Sequence, residues 1–144
     1  MTENNYLESI YDEKIRPFQT YPKKLICYLI KRFNLEKNQK LLELGCGRGE
    51  FLNEFALCGL QAHGVDISDY CLNFFPNLNF KINDLSKEKL PYEDNSFDII
   101  YSKSLIEHFY YPDKIFEEIY RVLKPGGIVI TLTPEWKYIY KTFY

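Results

Sequence analysis

The stretch Leu41-Leu42-Glu43-Leu44-Gly45-Cys46-Gly47-Arg48-Gly49-Glu50-Phe51 decides the fold of this 144-residue chain. Its short apolar run stops at a Gly-x-Gly-x-Gly turn, and a helical pattern of apolar residues follows at once. This order predicts a buried strand, a tight turn and the N-terminus of a helix. Glycines allow a ligand close to the turn because they lack Cβ and accept a positive φ. The free N–H groups of the helix start favour an anionic ligand group.

Two carboxylates near the turn favour a nucleotide-like ligand over an ordinary strand-to-helix connection. Glu43 lies two residues before Gly45, and a second apolar run ends in Asp66, 21 positions after Gly45. A spacing of about 20 is expected between a glycine turn and the carboxylate that holds a ribose. We therefore expect Asp66 to accept hydrogen bonds from ribose hydroxyls. The alternative is a loop carboxylate that caps a helix beginning at Ser68.

Composition excludes several other classes of protein. Hydrophobic residues make up 46% and charged residues 26%, which is ordinary for a globular domain. A net charge of −2 without a basic stripe argues against nucleic-acid binding. No apolar run reaches the roughly 18 residues of a membrane span. The four cysteines form no Cys-x-x-Cys pair, so we expect neither a metal site nor disulfides, but reduced thiols in a cytoplasmic protein.

The rest of the chain alternates helix-like and strand-like segments. Strands are predicted over residues 40–45, 61–66, 79–83, 96–101 and 128–133. Helices are predicted from Pro22, over residues 50–58, after Ser68 and from about residue 112, the last ending at residues 124–127. Two apolar stripes indicate the buried helix faces: Leu25, Ile26, Leu29, Ile30 and Phe33 in the first helix, and Ile115, Phe116, Ile119, Val122 and Leu123 in the last. Such alternation predicts an α/β domain with a parallel sheet and helices on both faces.

Several motifs in this order resemble the class I S-adenosylmethionine-dependent methyltransferases, from about Leu41 to Thr133. The motifs occupy residues 43–49, 65–68, 83–85, 91–100, 107–108 and 121–127. The resemblance implies a three-layer αβα Rossmann-like methyltransferase fold whose sheet of about five strands has the order 3-2-1-4-5. It also implies S-adenosyl-L-methionine as the cofactor and a small-molecule acceptor such as a sugar, lipid or metabolite.

The resemblance implies a set of cofactor-binding residues. The methionine part would be flanked by the turn residues Gly45, Cys46, Gly47 and Gly49, with Cys46 as a small spacer. Glu43 would lie near the ammonium or sulfonium charge, and Ser102, just past the fourth strand, would offer its backbone carbonyl to the ammonium. The adenosine part would contact Asp66, Ile67, Asp84 and Leu85, with Asp84 accepting from the adenine amino group. For Asp84 the alternative is a turn residue.

Methyl transfer depends largely on alignment of the acceptor with the methyl carbon, so no fixed catalytic dyad is required. His108 is the candidate base because its unperturbed pKa lies near neutrality; a structural histidine at a helix end is the alternative. A nicotinamide-dependent dehydrogenase is a second enzyme class, although Glu43 would repel a pyrophosphate. A third hypothesis is an inactive or partner-dependent cofactor-binding subunit.

The expected domain plan is one methyltransferase domain. Residues 1–21 form an N-terminal cap arm, in which Tyr11, Arg16 or Tyr21 could close over the cofactor. Residues 22–133 form the cofactor-binding core, and residues 134–144 form an aromatic tail. Compared with complete relatives, the last two strands are expected to be missing. The edge of the fifth strand would then be open to a second copy or a partner subunit.

Overall fold

The computed structural model of the chain describes residues 19–134. Most of the predicted arm, including Tyr11 and Arg16, and the tail from residue 135 lie outside the described residues. The helices are α1 (Tyr21–Phe33), α2 (Glu50–Leu57) and α3 (Asp113–Val122). The strands are β1 (Lys40–Leu44), β2 (Gln61–Asp66), β3 (Asn79–Ile82), β4 (Phe97–Lys103) and β5 (Leu123–Leu132). Two short 3₁₀ helices, Tyr70–Asn73 and Ile106–His108, complete the described elements.

The five strands form one sheet in the order β3-β2-β1-β4-β5, and every pair is parallel. This confirms the predicted fold class and strand order. The carboxyl ends of β1 and β4 meet at the centre of the sheet, where strand order reverses. Ligands of open parallel sheets bind at this point.

Alternation along the central strands divides the core between the two faces of the sheet. On one face Leu41 and Tyr101 pack with residues of α1 and α2 such as Ile26 and Phe55. On the other face Leu42 and Ile100 pack with α3 through Ile115, Ile119 and Val122. All of these side chains are buried. Helices therefore cover both faces, as a parallel sheet requires.

Helix α1 begins with Tyr21 and Pro22, so the proline stands in the first turn where its missing N–H has no cost. The helix ends at Asn34, which takes the left-handed conformation with φ 51°. Ile26 and Leu29 are buried as predicted, but Phe33 is 44% exposed. Phe33 is the last residue of the helix, and the guanidinium of Arg32 lies over its ring.

Strand β5 corrects the predicted end of the last helix. Leu123 and the segment 124–127 belong to the strand, whereas the sequence pattern placed Leu123 on the helix and began the strand at Ile128. Phe97 pairs with Leu123 and Ile99 with Ile128, so residues 124–127 form a bulge in β5. Phe116, predicted to be buried, is 44% exposed because only Ile115, Ile119 and Val122 face the sheet.

The segment after β2 is also shorter than predicted. It forms a single 3₁₀ turn from Tyr70, and Ser68 contributes through its hydroxyl, which accepts a hydrogen bond from the Tyr70 N–H at 3.2 Å. Cys71 is the buried residue of this turn. Strand β2 then leads through this turn to β3 without a full crossover helix.

Candidate functional site

Two adjoining cavities open at the carboxyl ends of the strands, and Gly45 borders both. The larger cavity, of about 510 Å³, lies on the β2–β3 side between the loops after β2, β3 and β4. The smaller cavity, of about 250 Å³, lies over the glycine turn and the start of α2. The two cavities together form one crevice, and Gly45 lies where they meet. Such a crevice suits an elongated ligand with two different halves.

The glycine turn takes a backbone conformation that favours glycine at each of its glycine positions. Gly45 has φ +67°, Gly47 +52° and Gly49 +81°. The N–H groups of Gly45 and Cys46 donate to the Val65 carbonyl at 2.8 and 3.2 Å, which joins the turn to β2. A Cβ on Gly45 would lie 2.8 Å from Leu105 Cδ1. A side chain at residue 45 would therefore crowd Leu105 where the two cavities meet.

Asp66, at the end of β2, is joined to the glycine turn. Its carboxylate accepts a hydrogen bond from the Gly47 N–H at 2.8 Å and another from the Ser68 N–H at 3.3 Å. Burial raises the pKa of Asp66, and the backbone hydrogen bonds from Gly47, Ser68 and Ile67 oppose that rise. A carboxylate can accept about four hydrogen bonds, so its bonds to the loop leave sites for a ligand. The loop-capping alternative and ligand binding are thus compatible.

Glu43 lies at the carboxyl end of β1, where its side chain is buried and lines the smaller cavity. Within residues 19–134, its Oε2 atom has no hydrogen-bond partner. Burial raises the pKa of Glu43 well above its usual value, the nearby Asp66 raises it further, and Lys103 acts in the opposite direction. A buried carboxylate without a partner is unfavourable unless a cation accompanies it.

The larger cavity is lined by the residues predicted to contact an adenosine. Ile67 and Leu85 border it, and Ile67 is 57% exposed, so an apolar side chain is open to a ligand there. Asp84 also borders it, but Lys87 Nζ lies 2.8 Å from Oδ2 and the Ser86 N–H donates to Oδ1 at 3.0 Å. The Lys87 and Ser86 side chains lower the pKa of Asp84 to about 2. Asp84 thus also acts as a turn residue, which was the alternative to ligand binding in the sequence analysis.

His108 lines the larger cavity from the 3₁₀ helix after β4, and its ring is exposed.

Cys46 lines the smaller cavity, but its thiol is buried and hydrogen-bonded to the thiol of Cys71. This hydrogen bond and burial both raise the pKa of Cys46. The ring of His63 packs edge to face against the rings of Tyr92 and Phe97, with centroids at 6.0 and 5.5 Å, so His63 is a packing residue.

Ser102 requires a correction. Strand β4 continues to Lys103, so Ser102 lies within the strand rather than past it. Ser102 is buried and pairs with Leu44 on β1 and with Thr131 on β5. The Ser102 hydroxyl lies 3.3 Å from the Thr131 hydroxyl. Neither cavity is lined by Ser102; Lys103 and Ser104 border the smaller one instead.

Sequence reasoning missed three polar residues of the crevice. Two of them, Lys103 and Ser104, reach the crevice because β4 is longer than predicted. Ser104 takes φ +53°, and its N–H donates to the Leu132 carbonyl at 2.8 Å. Asn83 is buried in the wall of the larger cavity, where its amide donates to Glu88 and to the Lys89 carbonyl. The polar pair Asn83-Asp84 directly after a strand is the signal that could have identified Asn83.

No cluster of metal-ligating side chains occurs in the part of the chain that the structure describes. Among residues 19–134, no helix has the length and apolar composition that a bilayer crossing requires.

Comparison with known proteins gives consistent matches. The methyltransferase-domain family matches residues 42–131. A sterol 4-C-methyltransferase of Caenorhabditis elegans is 33% identical over 113 residues, which cover 73% of this chain and 34% of the relative. The chain thus spans about a third of the length of this curated relative.

Solved structures share the fold. A Methanococcus maripaludis chain assigned to the S-adenosyl-L-methionine-dependent methyltransferases superposes with a TM-score of 0.76 at 22% identity, covering 88% of this chain and 62% of that one. A phosphoethanolamine N-methyltransferase of Haemonchus contortus, in complex with phosphomonomethylethanolamine and S-adenosylhomocysteine, superposes with a TM-score of 0.67 at 31% identity. That match covers 83% of this chain and 32% of the other. These matches favour the methyltransferase expectation over the dehydrogenase alternative.

Proposed function

The chain belongs to the class I S-adenosylmethionine-dependent methyltransferase family, and on that premise we propose that it methylates a small-molecule acceptor. The observation that carries the proposal is the two-part crevice centred on Gly45. Glu43, a buried carboxyl group with one oxygen that has no hydrogen-bond partner among residues 19–134, lies on one side, and a second carboxylate, Asp66, lies on the other. This arrangement matches a ligand that has a cationic amino-acid half and a ribose half.

The residues of the crevice fit the cofactor of the family. The smaller cavity would hold the methionine half, where Glu43 would accompany positive charge and where Gly45 and Gly47 keep side chains away. The larger cavity would hold adenosine, with Asp66 toward the ribose and with Ile67 and Leu85 against the base. Cys46 would remain a spacer and Gly49 would start α2. Asp84 is a weaker candidate because local partners engage its carboxylate. Ser102 is a weaker candidate because it is a buried, paired residue of β4 that lines neither cavity.

When bound, the cofactor supplies a methyl group on a positively charged sulfur. The chain's own contribution is to orient the reactants and to exclude water from the crevice. His108, at the wall of the larger cavity, would accept a proton from an amine or hydroxyl acceptor. Its exposed ring would approach an acceptor that lies beside the bound adenosine.

The acceptor class is inferred from the relatives. The matched proteins act on a sterol and on phosphoethanolamine, and the Haemonchus contortus structure contains phosphomonomethylethanolamine. We extend this to a small polar or amphipathic acceptor for the present chain. A cytoplasmic location belongs to the same proposal, supported by the four cysteines, which are all free thiols.

A partner-dependent activity is the second candidate, favoured by the open edge of β5. Among the described strands, β5 pairs with β4 alone, and Val129 is 41% exposed. A second copy or a partner subunit could add to this edge. Light scattering of the purified chain would test this: a monomer that turns over would contradict the need for a partner.

The direct test of the proposed function is release of S-adenosylhomocysteine, measured by mass spectrometry. The chain would be incubated with S-adenosylmethionine and a panel that includes phosphoethanolamine and a sterol. We expect acceptor-dependent release, and we expect His108→Asn to reduce it at least about tenfold without weakening cofactor binding. Release with no acceptor in the panel, by a chain that binds the cofactor, would contradict the proposed acceptor class.

A further inference from the structure

We propose that Lys103 binds the α-carboxylate of the cofactor's amino-acid half, an assignment that rests on the proposed function. Together with Glu43, it would make the smaller cavity complementary to a zwitterion. Glu43 would face the ammonium and Lys103 the carboxylate. The motif pattern did not indicate Lys103.

The first observation is the position of Lys103. As the last residue of β4, it borders the smaller cavity beside the glycine turn. Its ammonium lies 5.3 Å from the centroid of the Phe51 ring and 5.9 Å from that of Tyr21. These rings hold the amine by weak cation–π contacts without neutralising it.

The second observation is the charge balance of the cavity. Two carboxyl and two cationic side chains border it, and one of each forms an ion pair, since Arg48 Nη2 lies 2.9 Å from Glu50 Oε1. The remaining two are Glu43 and Lys103. Within residues 19–134, Lys103 forms no ion pair.

The third observation is that the charge of Lys103 reaches Glu43. Lys103 lowers the pKa of Glu43, against the opposing effects of burial, Asp66 and Cys71. The two opposite charges thus lie near each other but not in contact, with the cavity beside both. A bound zwitterion would place an ammonium beside the carboxylate and a carboxylate beside the ammonium. Each charge would then gain an oppositely charged partner on the ligand.

The test compares two ligands that differ by one group. Calorimetric titration of the full chain with S-adenosylmethionine and with its decarboxylated form isolates the contribution of the carboxylate. We expect the wild-type chain to prefer the carboxylate-bearing ligand by about tenfold, as a charge-assisted hydrogen bond implies. Lys103→Gln should reduce this preference to less than about threefold and should bind the decarboxylated ligand as wild type does.

Two variants serve as controls. Lys103→Arg keeps the charge and should retain most of the preference. Lys31→Gln removes a lysine from the exposed end of α1 and should leave both affinities unchanged.

The outcomes separate the two proposals. An unchanged preference in Lys103→Gln would overturn the assignment while the proposed function stands. Equal loss of both ligands, with a lower melting temperature, would show a purely structural lysine and would also overturn it. Binding of neither ligand by a folded wild-type chain would contradict the proposed function itself.

Discussion

Glu43 carries its carboxylate into the interior at the carboxyl end of the central strand, where burial opposes ionisation. Because its pKa is raised, the folded chain binds this proton more tightly than the unfolded chain does. The stabilisation is therefore complete below the unfolded-state pKa of about 4.3 and is lost as pH rises through the folded-state pKa. Burial raises the pKa of Asp66 as well, and its contribution has the same sign.

We predict that Glu43→Gln stabilises the chain at neutral pH while it weakens cofactor binding. The amide keeps the shape of the side chain and removes the uncompensated charge. A gain of about 1 kcal/mol is expected, or roughly 3 °C in melting temperature. Between about pH 4.5 and neutrality, the melting temperature of the variant should depend less on pH than that of wild type.

Glu117→Gln, on the exposed face of α3, is the matched control for thermal melting and for titration with S-adenosylhomocysteine. It should alter neither the melting temperature nor the affinity. A Glu43→Gln chain with wild-type stability and wild-type affinity would show that the carboxylate carries no buried charge and meets no cation.

At the residue scale, the sequence predicted the positions of Gly45, Asp66 and Glu43 at the crevice, because a glycine turn fixes where its neighbouring strands end. It misplaced Ser102. Pairing with β5 extends β4 to Lys103, and Lys103 pairs with Leu132 on a strand nearly thirty residues away. Local sequence does not show such a register. The lysine at the cavity could therefore not be predicted from the motif.

At the scale of elements, α2 packs on β2 so closely that residue 64 has no room for a side chain. A Cβ on Gly64 would lie 2.5 Å from Leu52 Cδ2 and 3.0 Å from Cys46 Sγ. We predict that Gly64→Ala lowers the free energy of unfolding by about 1–3 kcal/mol through overpacking. Urea denaturation measures this change.

A second variant separates overpacking from a simple backbone effect. Leu52→Ala removes the clashing methyl group, so the double variant with Gly64→Ala should lose clearly less than the sum of the two single losses. Additive losses would contradict the proposed contact.

Helix α3 is joined to the preceding loop through Arg121. Its guanidinium donates to the carbonyls of Leu90 and Tyr92 at 3.0 and 2.8 Å and to Glu118 and Asp94 at 2.6 and 2.9 Å. We predict that Arg121→Met costs about 2–3 kcal/mol, because two loop carbonyls and Glu118 lose their donor. Arg121→Lys should recover only part of this, since an ammonium cannot reach several acceptors at once.

Thermal or urea unfolding checks the Arg121 prediction. The matched control is Arg32→Met at the exposed end of α1, which loses only a weak cation–π contact with Phe33 and should change stability by less than about 1 kcal/mol. Equal effects of the two variants would refute a special role for Arg121.

The helices and strands were predicted correctly where the apolar pattern was long, but the residues at which they end were predicted less well. The alternation of strands and helices gave the parallel sheet, and the predicted bounds of β2 agree with the structure. The bulge at residues 124–127 was not predicted, because Pro125, Gly126 and Gly127 are typical of a helix end. In the structure they belong to β5, which pairs with β4. Phe33 and Phe116 fit a helical stripe of apolar residues, yet each is 44% exposed.

At the scale of the whole molecule, the described residues include more groups for the proposed cofactor site than for an acceptor site. The crevice contains groups suited to each part of S-adenosylmethionine, whereas His108 is the one residue proposed to act on an acceptor. The chain also spans only about a third of its curated sterol methyltransferase relative. Cofactor binding is therefore the claim that the geometry supports most directly.

The decisive measurement is calorimetric titration of the purified chain with S-adenosylhomocysteine, beside an Asp66→Asn variant and with NADH as the competing ligand. We predict micromolar binding, a loss of at least about tenfold in the variant because the ribose loses a charged acceptor, and no displacement by NADH. A folded wild-type chain that binds no S-adenosylhomocysteine would contradict the assignment of this crevice as a cofactor site.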